Sequence, residues 1–130
     1  MTDWVAKAIV LAIHEQLLSE HGGPPGIRDE GLLDSALARP VDRANYGIPT
    51  IFDLAANYAF GIVKNHPFVD GNKRVSLVVT ELFLDLNGYA LVANDLDCLT
   101  QWLELASGSV TEADLAVWLC KKSTPSPPDQ

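Results

Sequence analysis

The sequence predicts an all-α protein, a single compact helical domain of about six helices around a central buried helix. Hydrophobic residues make up 48% of the 130 residues, which is enough to form a core without disulfides or metals. Apolar residues recur at helical spacing in most segments, and loops rich in glycine or proline separate those segments. The segment over residues 72–87 is apolar on nearly every side, which is typical of a helix at the centre of a domain.

The N-terminal part of the chain predicts two helices. The first covers residues 3–19, and its apolar stripe consists of Val5, Ile9, Ile13 and Leu17. His14 lies among apolar neighbours, so we interpret it as a hydrogen-bonded histidine of the core or its rim. The second helix begins near Asp29, and Pro40 is predicted to end it because proline disrupts a helix interior.

The middle of the chain predicts three more helices. A polar loop over residues 41–52 leads to the third helix, Asp53–Asn65, and the central fourth helix follows over residues 72–87. The pair Asn87–Gly88 ends the fourth helix, since glycine is favoured just beyond a helix C-terminus. The fifth helix covers residues 95–107. Its predicted core-facing residues are Leu96, Leu99, Trp102, Leu103 and Ala106.

The C-terminal part predicts one further helix and a tail. Residues 89–92 are too short to be assigned as a strand, although a small hairpin edge would fit them. Thr111 and Asp114 form a capping pair that opens the sixth helix. The predicted domain therefore comprises residues 1–122. Residues 123–130 are rich in serine and proline and are predicted to be a disordered tail.

The charge pattern narrows the range of partners. A formal net charge of −8 argues against direct binding of nucleic acid or of an anionic membrane, because both require a basic surface. Three cations and one acid lie between Lys64 and Arg74, whereas residues 75–119 contain seven acids and neither lysine nor arginine. The sequence has no apolar run of membrane-spanning length and no basic signal region, so we expect a cytoplasmic protein. Cys98 is interpreted as a buried free thiol.

The residues with the clearest chemistry immediately precede and open the central helix. They read His66-Pro67-Phe68-Val69-Asp70-Gly71-Asn72-Lys73-Arg74. The first turn of a helix has unpaired backbone N–H groups and the positive end of the helix dipole, so it attracts anions. The predicted phosphate-binding residues are Gly71, Asn72, Lys73, Arg74 and, one turn or less before the run, Lys64.

Other residues of this run supply further parts of a phosphate-transfer site. Asp70 is an oxygen ligand of the kind that Mg²⁺ uses beside substrate phosphates, and His66 is a candidate general base. Phe68 is expected to pack into the core and fix the loop. Each residue also has an ordinary structural interpretation, such as a turn at Asp70 or a helix-capping cation at Lys64. Their combination ahead of so apolar a helix favours the functional interpretation.

This run resembles the signature of the Fic/Doc superfamily, His-Pro-Phe-x-Asp/Glu-Gly-Asn-Gly/Lys-Arg, and is most similar to its death-on-curing (Doc) toxin branch. Lys73 is typical of Doc-like members. Fic adenylyltransferases usually have glycine at that position and a second arginine at the position of Leu77. Residues 27–40 resemble the family as well. Arg28 and Arg39 in that segment are interpreted as packing residues, with active-site support as the alternative for Arg28.

The resemblance implies the Fic/Doc (Fido) fold and a toxin of a type II toxin–antitoxin system. Such a toxin would use ATP and Mg²⁺ to transfer the γ-phosphate to a Ser or Thr of elongation factor Tu, and would thereby block translation. Transfer of AMP is a second hypothesis, and a binding module without catalysis is a third. The sequence lacks the self-inhibiting motif Ser/Thr-x-x-x-Glu-Gly/Asn, so restraint by a Phd-like antitoxin is expected, with its C-terminal segment in an apolar groove beside the site.

Overall fold

The computed structural model describes residues 1–127, and this part of the chain contains six helices and one two-stranded sheet. In chain order the elements are α1 (Lys7–His21), α2 (Glu30–Arg43), α3 (Ile51–Asn65), α4 (Asn72–Leu86), β1 (Tyr89–Leu91), α5 (Asp95–Ser107), α6 (Glu112–Lys122) and β2 (Ser123–Pro125). The predicted helical class is confirmed. None of these helices combines the length and the apolar character that crossing a bilayer would require.

The core is built around α3 and α4. α3 packs against α2, α4, α5 and α6, while α4 also contacts α1 and β1. A glycine permits the close packing of α2 on α3, because a Cβ at Gly61 would lie only 3.1 Å from the carbonyl oxygen of Ala36. α4 is therefore central, as predicted, and α3 shares that position. The N-terminus of α4, which carries the candidate site, is therefore anchored by the body of the domain.

Two predicted boundaries are wrong around the loop after α2. Pro40 lies inside α2 and does not end it, because the helix continues to Arg43 and the Ala44 N–H donates to the Pro40 carbonyl at 3.0 Å. The Pro40 side chain is buried. α3 begins two residues before the predicted Asp53. Thr50 and Asp53 form a reciprocal capping box there, which fixes the start of α3 at Ile51.

The predicted apolar faces of α1 and α5 are also partly wrong. On α1 the fully buried positions are Val10 and His14, while Ile9 is 46% exposed. On α5 two apolar stripes compete, and the stripe that contains Trp102 is buried, together with Cys98 and Leu105. The other stripe remains on the surface. We call it the α5 apolar stripe, and it consists of Leu96, Leu99 and Leu103, which are 70%, 54% and 49% exposed.

The predicted disordered tail is wrong for its first residues. Residues 123–125 form β2, which pairs antiparallel with β1 so that Ala90 lies opposite Thr124. The pairing continues beyond the strands, since the Ser126 N–H donates to the Gly88 carbonyl at 2.8 Å. A partner more than thirty residues away leaves no local signature in the sequence. The last three residues of the predicted tail, 128–130, lie outside the described residues.

Candidate active site

The candidate site begins where α3 ends. His66 caps α3 in the left-handed conformation, with φ 50° and ψ 55°, and its N–H donates to the Ile62 carbonyl at 3.1 Å. This conformation costs a non-glycine residue about 1 kcal/mol or more, so it needs support from its surroundings. Arg28 supplies that support. Its Nε donates to the His66 carbonyl at 2.7 Å and its Nη2 to the Asn65 carbonyl at 2.8 Å.

Residues 66–71, which we call the active-site loop, are further held by main-chain pairing with the segment before α2. The Pro67 carbonyl accepts from the N–H groups of Arg28 at 2.7 Å and Asp29 at 3.1 Å. The Val69 N–H donates to the Gly26 carbonyl at 3.1 Å. Arg28 thus contacts this loop through both its side chain and its backbone. The alternative interpretation of Arg28 as active-site support agrees with these contacts.

Asn72 closes the active-site loop from its far side. Its Oδ1 accepts from the Phe68 N–H at 3.0 Å, and its Nδ2 donates to the Phe68 carbonyl at 2.9 Å. The side chain is 5% exposed, so both ends of the carboxamide are used inside the protein. Asn72 therefore holds the loop rather than offering its side chain to phosphate. Its backbone N–H, in the first turn of α4, is the group that remains for an anion.

Phe68 is buried, as predicted, and its ring stacks on His14, a residue that the sequence analysis assigned to the core or its rim. The rings of His14 and Phe68 lie 3.9 Å apart at 16°. The Nε2 atom of His14 is 3.0 Å from the Asp70 carbonyl oxygen. The expectation of a hydrogen-bonded core histidine is confirmed, and its partner is the active-site loop. His14 and Asp70 are 56 positions apart along the chain, so no local sequence pattern could indicate this contact.

The N-terminus of α4 has the features of an anion-binding site. Gly71 is its N-cap, with φ 82°, a conformation that glycine adopts without strain. Among the described residues, no side chain caps this helix end, so its first amides have no side-chain hydrogen-bond acceptor. Lys73 and Arg74 in the first turn are exposed. Within residues 1–127 neither cation forms an ion pair with a carboxylate.

Asp70 stands beside this helix end and against the loop after α1. A Cβ added at Gly23 would overlap the Asp70 Oδ2 atom, so glycine at position 23 leaves the room that this carboxylate occupies. The described part of the chain contains no cluster of three or more His, Cys, Asp or Glu side chains for a metal. A single carboxylate suits Mg²⁺, which commonly takes one or two protein oxygens and fills its other positions with phosphate oxygens and water.

These residues open onto a cleft of about 670 Å³ between α1, α4 and α5. Its polar end is formed by His66, Asp70 and residues 71–74. Its apolar wall consists of Leu17, Leu77, Val78, Cys98, Leu99 and Trp102. The cleft therefore combines an anion-binding end with an apolar surface, which is the general character of a small-molecule site.

The structure places Lys64 outside this cleft and Cys98 in its wall. Lys64 does not line this cleft; it lines a second one of about 450 Å³ together with Arg39, Arg43 and Tyr46. Its predicted place among the phosphate-binding residues is therefore not supported, because Lys64 lines one cleft and His66, just beyond α3, lines the other. Cys98 is a buried free thiol, as predicted. Burial raises the pKa of Cys98, and nearby carboxylates raise it further, so the thiol stays protonated.

The fold and the site together define a helical domain with an anion-binding loop before a central helix. The chain belongs to the Fic/DOC family, whose model matches residues 4–84. It is 42% identical over 80 residues to "Toxin Doc" of Mycolicibacterium smegmatis, an alignment that covers 58% of this chain and 61% of that protein. It is 35% identical over 80 residues to "Protein kinase doc" of Escherichia phage P1, covering 61% of this chain and 64% of that protein. The matched region thus spans about three fifths of these curated relatives.

Proposed function

We propose that this protein is a Doc-like toxin that phosphorylates a protein target with ATP and Mg²⁺. The observation that carries the proposal is the convergence of His66, Asp70 and the uncapped N-terminus of α4 on one cleft. Membership of the Fic/DOC family and similarity to a relative named a protein kinase support the same reaction. From the family resemblance, the proposed target is a Ser or Thr of elongation factor Tu.

Each group has a defined role in the proposed reaction. The amides at the start of α4, with Lys73 and Arg74, hold the phosphates, and the carboxylate of Asp70 would hold Mg²⁺. His66 accepts the proton of the target hydroxyl as its oxygen attacks the γ-phosphorus. The bond between the γ-phosphorus and the bridging oxygen breaks, and ADP leaves. The apolar wall of the cleft offers a surface for the base of the nucleotide.

Transfer of AMP is the second candidate, because the same loop would serve if the α-phosphate lay next to His66. The side chain at position 77 bears on this choice. Leu77 lines the cleft, so the wall is apolar where Fic adenylyltransferases usually carry their second arginine. The cleft therefore lacks the second arginine that would help hold the phosphates for AMP transfer. This difference favours transfer of the γ-phosphate.

A label-transfer assay tests the reaction. Purified elongation factor Tu and Mg²⁺ would be incubated with the protein and ATP labelled at either the γ- or the α-phosphate. We expect label from the γ-phosphate alone. Label from the α-phosphate would replace the kinase proposal by AMP transfer. Label from neither position, together with no Mg²⁺-dependent ATP binding in calorimetry, would instead favour a binding module without catalysis.

The contact between Gly23 and Asp70 gives a prediction about the metal. Gly23→Ala should displace the Asp70 carboxylate and weaken Mg²⁺-dependent ATP binding by roughly 10- to 100-fold, the usual effect of changing a group that orients a metal ligand. Titration calorimetry with and without Mg²⁺ measures this. Gly22→Ala is the matched control, because Gly22 also has a positive φ but open space around it. Equal loss of binding in both variants would contradict the proposed role of Asp70.

We further propose that an antitoxin restrains this activity in trans. The α5 apolar stripe lies beside the cleft, and one of its members, Leu99, lines the cleft itself. An amphipathic segment of a Phd-like partner would cover such a stripe and close the cleft. Expression of the protein alone should therefore arrest growth, and co-expression of the partner should relieve it. Harmless expression of an active protein without any partner would contradict this proposal.

A further inference from the structure

We infer that His14 is a positioning residue for the active-site loop. It lies on α1, outside the residues that carry the proposed chemistry, yet it contacts the loop at two points. Its ring stacks on Phe68 at 3.9 Å, and its Nε2 atom lies 3.0 Å from the Asp70 carbonyl oxygen. The ring also passes close to Gly71, since a Cβ there would lie 3.9 Å from His14 Cδ2.

The hydrogen bond determines which ring nitrogen of His14 carries a hydrogen. A carbonyl oxygen only accepts hydrogen bonds, so His14 Nε2 must carry a hydrogen and donate a hydrogen bond to the backbone carbonyl of Asp70. The ring is 5% exposed, and the bond is therefore shielded from water. Its acceptor belongs to the residue that would bind the metal. The residue after Asp70 starts the turn that aims the α4 amides at an anion.

The other contacts of the loop explain why this one matters. Arg28 holds the carbonyl of His66, and Asn72 holds both backbone groups of Phe68. Together with the bond from the Val69 N–H to the Gly26 carbonyl, these bonds fix the loop up to position 69. Between that point and the start of α4, His14 provides the side-chain bond that holds the carbonyl of Asp70. Loss of that bond should therefore loosen the peptide unit that joins Asp70 to Gly71.

The consequence for catalysis rests on the proposed function, whereas the loop contact does not. Positioning of a reacting group is demanding, because displacement by about 1 Å can lower a rate by about 100-fold. A loosened Asp70–Gly71 unit would move the metal ligand and the first amides of α4 together. We expect kcat of phosphate transfer to fall more than the affinity for the protein target changes.

Two substitutions and a control test this role. His14→Phe keeps a ring against Phe68 but removes the donor, whereas His14→Gln keeps a donor on a flexible side chain. Val10→Ala is the control, because Val10 is fully buried one turn earlier on the same helix. Amide hydrogen exchange of peptides covering residues 69–74 reports on the loop without any need for activity. Phosphate transfer to elongation factor Tu supplies kcat and KM.

In His14→Phe we expect exchange over residues 69–74 to become about tenfold faster, as for a segment that opens locally, and kcat to fall by a similar factor. His14→Gln should recover part of both. Val10→Ala should lower the unfolding temperature without changing exchange in this segment. Unchanged exchange in His14→Phe, or equal acceleration in Val10→Ala, would overturn the inference. If the wild-type protein transfers no phosphate, the proposed function fails while the exchange measurement still decides the role of His14.

Discussion

His66→Ala should abolish phosphate transfer while ATP and Mg²⁺ still bind. The expected loss is about 100- to 10,000-fold, the range for removal of a general base. Binding should survive because the imidazole is the only part of His66 that is lost. Its carbonyl, which Arg28 holds, belongs to the backbone and remains. Single-turnover transfer from γ-labelled ATP and titration calorimetry would measure the two effects separately.

The left-handed conformation of His66 requires a second variant as control. Alanine is disfavoured at positive φ, so a loss in His66→Ala alone would combine chemistry with backbone strain. Asparagine tolerates this conformation and offers no imidazole base. His66→Asn should therefore keep wild-type stability and nucleotide affinity and be as inactive as His66→Ala. Full activity in either variant would show that another group accepts the proton.

Asn72→Ala should remove both nucleotide binding and part of the stability. The substitution leaves the N–H and the carbonyl of Phe68 without partners in a buried region. Each of the two unsatisfied groups costs about 1–3 kcal/mol, so the free energy of unfolding should fall by roughly 2–6 kcal/mol. The active-site loop would no longer present its amides and Asp70 in one arrangement. Urea unfolding and calorimetry with ATP and Mg²⁺ measure the two losses.

The chain offers a matched control for Asn72. Asn87 makes the same kind of contact with Asp3, accepting from its N–H at 2.9 Å and donating to its carbonyl at 2.8 Å, but at the opposite end of α4. Asn87 is only half-buried and Asp3 is exposed, so Asn87→Ala should cost less stability, and it should leave nucleotide binding unchanged. Wild-type binding in Asn72→Ala would contradict the role assigned to the loop contacts.

Features set by local chemistry could be predicted from the sequence. The capping pair of Thr111 and Asp114 forms as expected, and Gly71 ends the loop at the predicted start of α4. Both depend on residues within one helical turn of each other. The candidate base, the candidate metal ligand and the two cations could be identified for the same reason, because they lie in one continuous run.

Features set by distant contacts could not be predicted. The buried face of α5 depends on which of two apolar stripes meets α4, and the pairing of β1 depends on residues 123–125. The roles of Arg28 and His14 depend on partners that are far away along the chain. Asn72 looked like a phosphate ligand because its side chain suits one. Only the fold shows that Phe68 already occupies both ends of its amide.

The long sequence separation of the loop contacts has a consequence for the order of folding. His14 and Arg28 precede their loop partners by 56 and 38 residues. During synthesis both side chains therefore leave the ribosome well before the loop that they hold. Bringing together residues so far apart has an entropic cost that local helix formation does not have. These contacts should therefore form late. We therefore expect the chain to acquire helices first and a working site only when the domain is nearly assembled. A nascent or partly unfolded chain would then lack the proposed toxic activity.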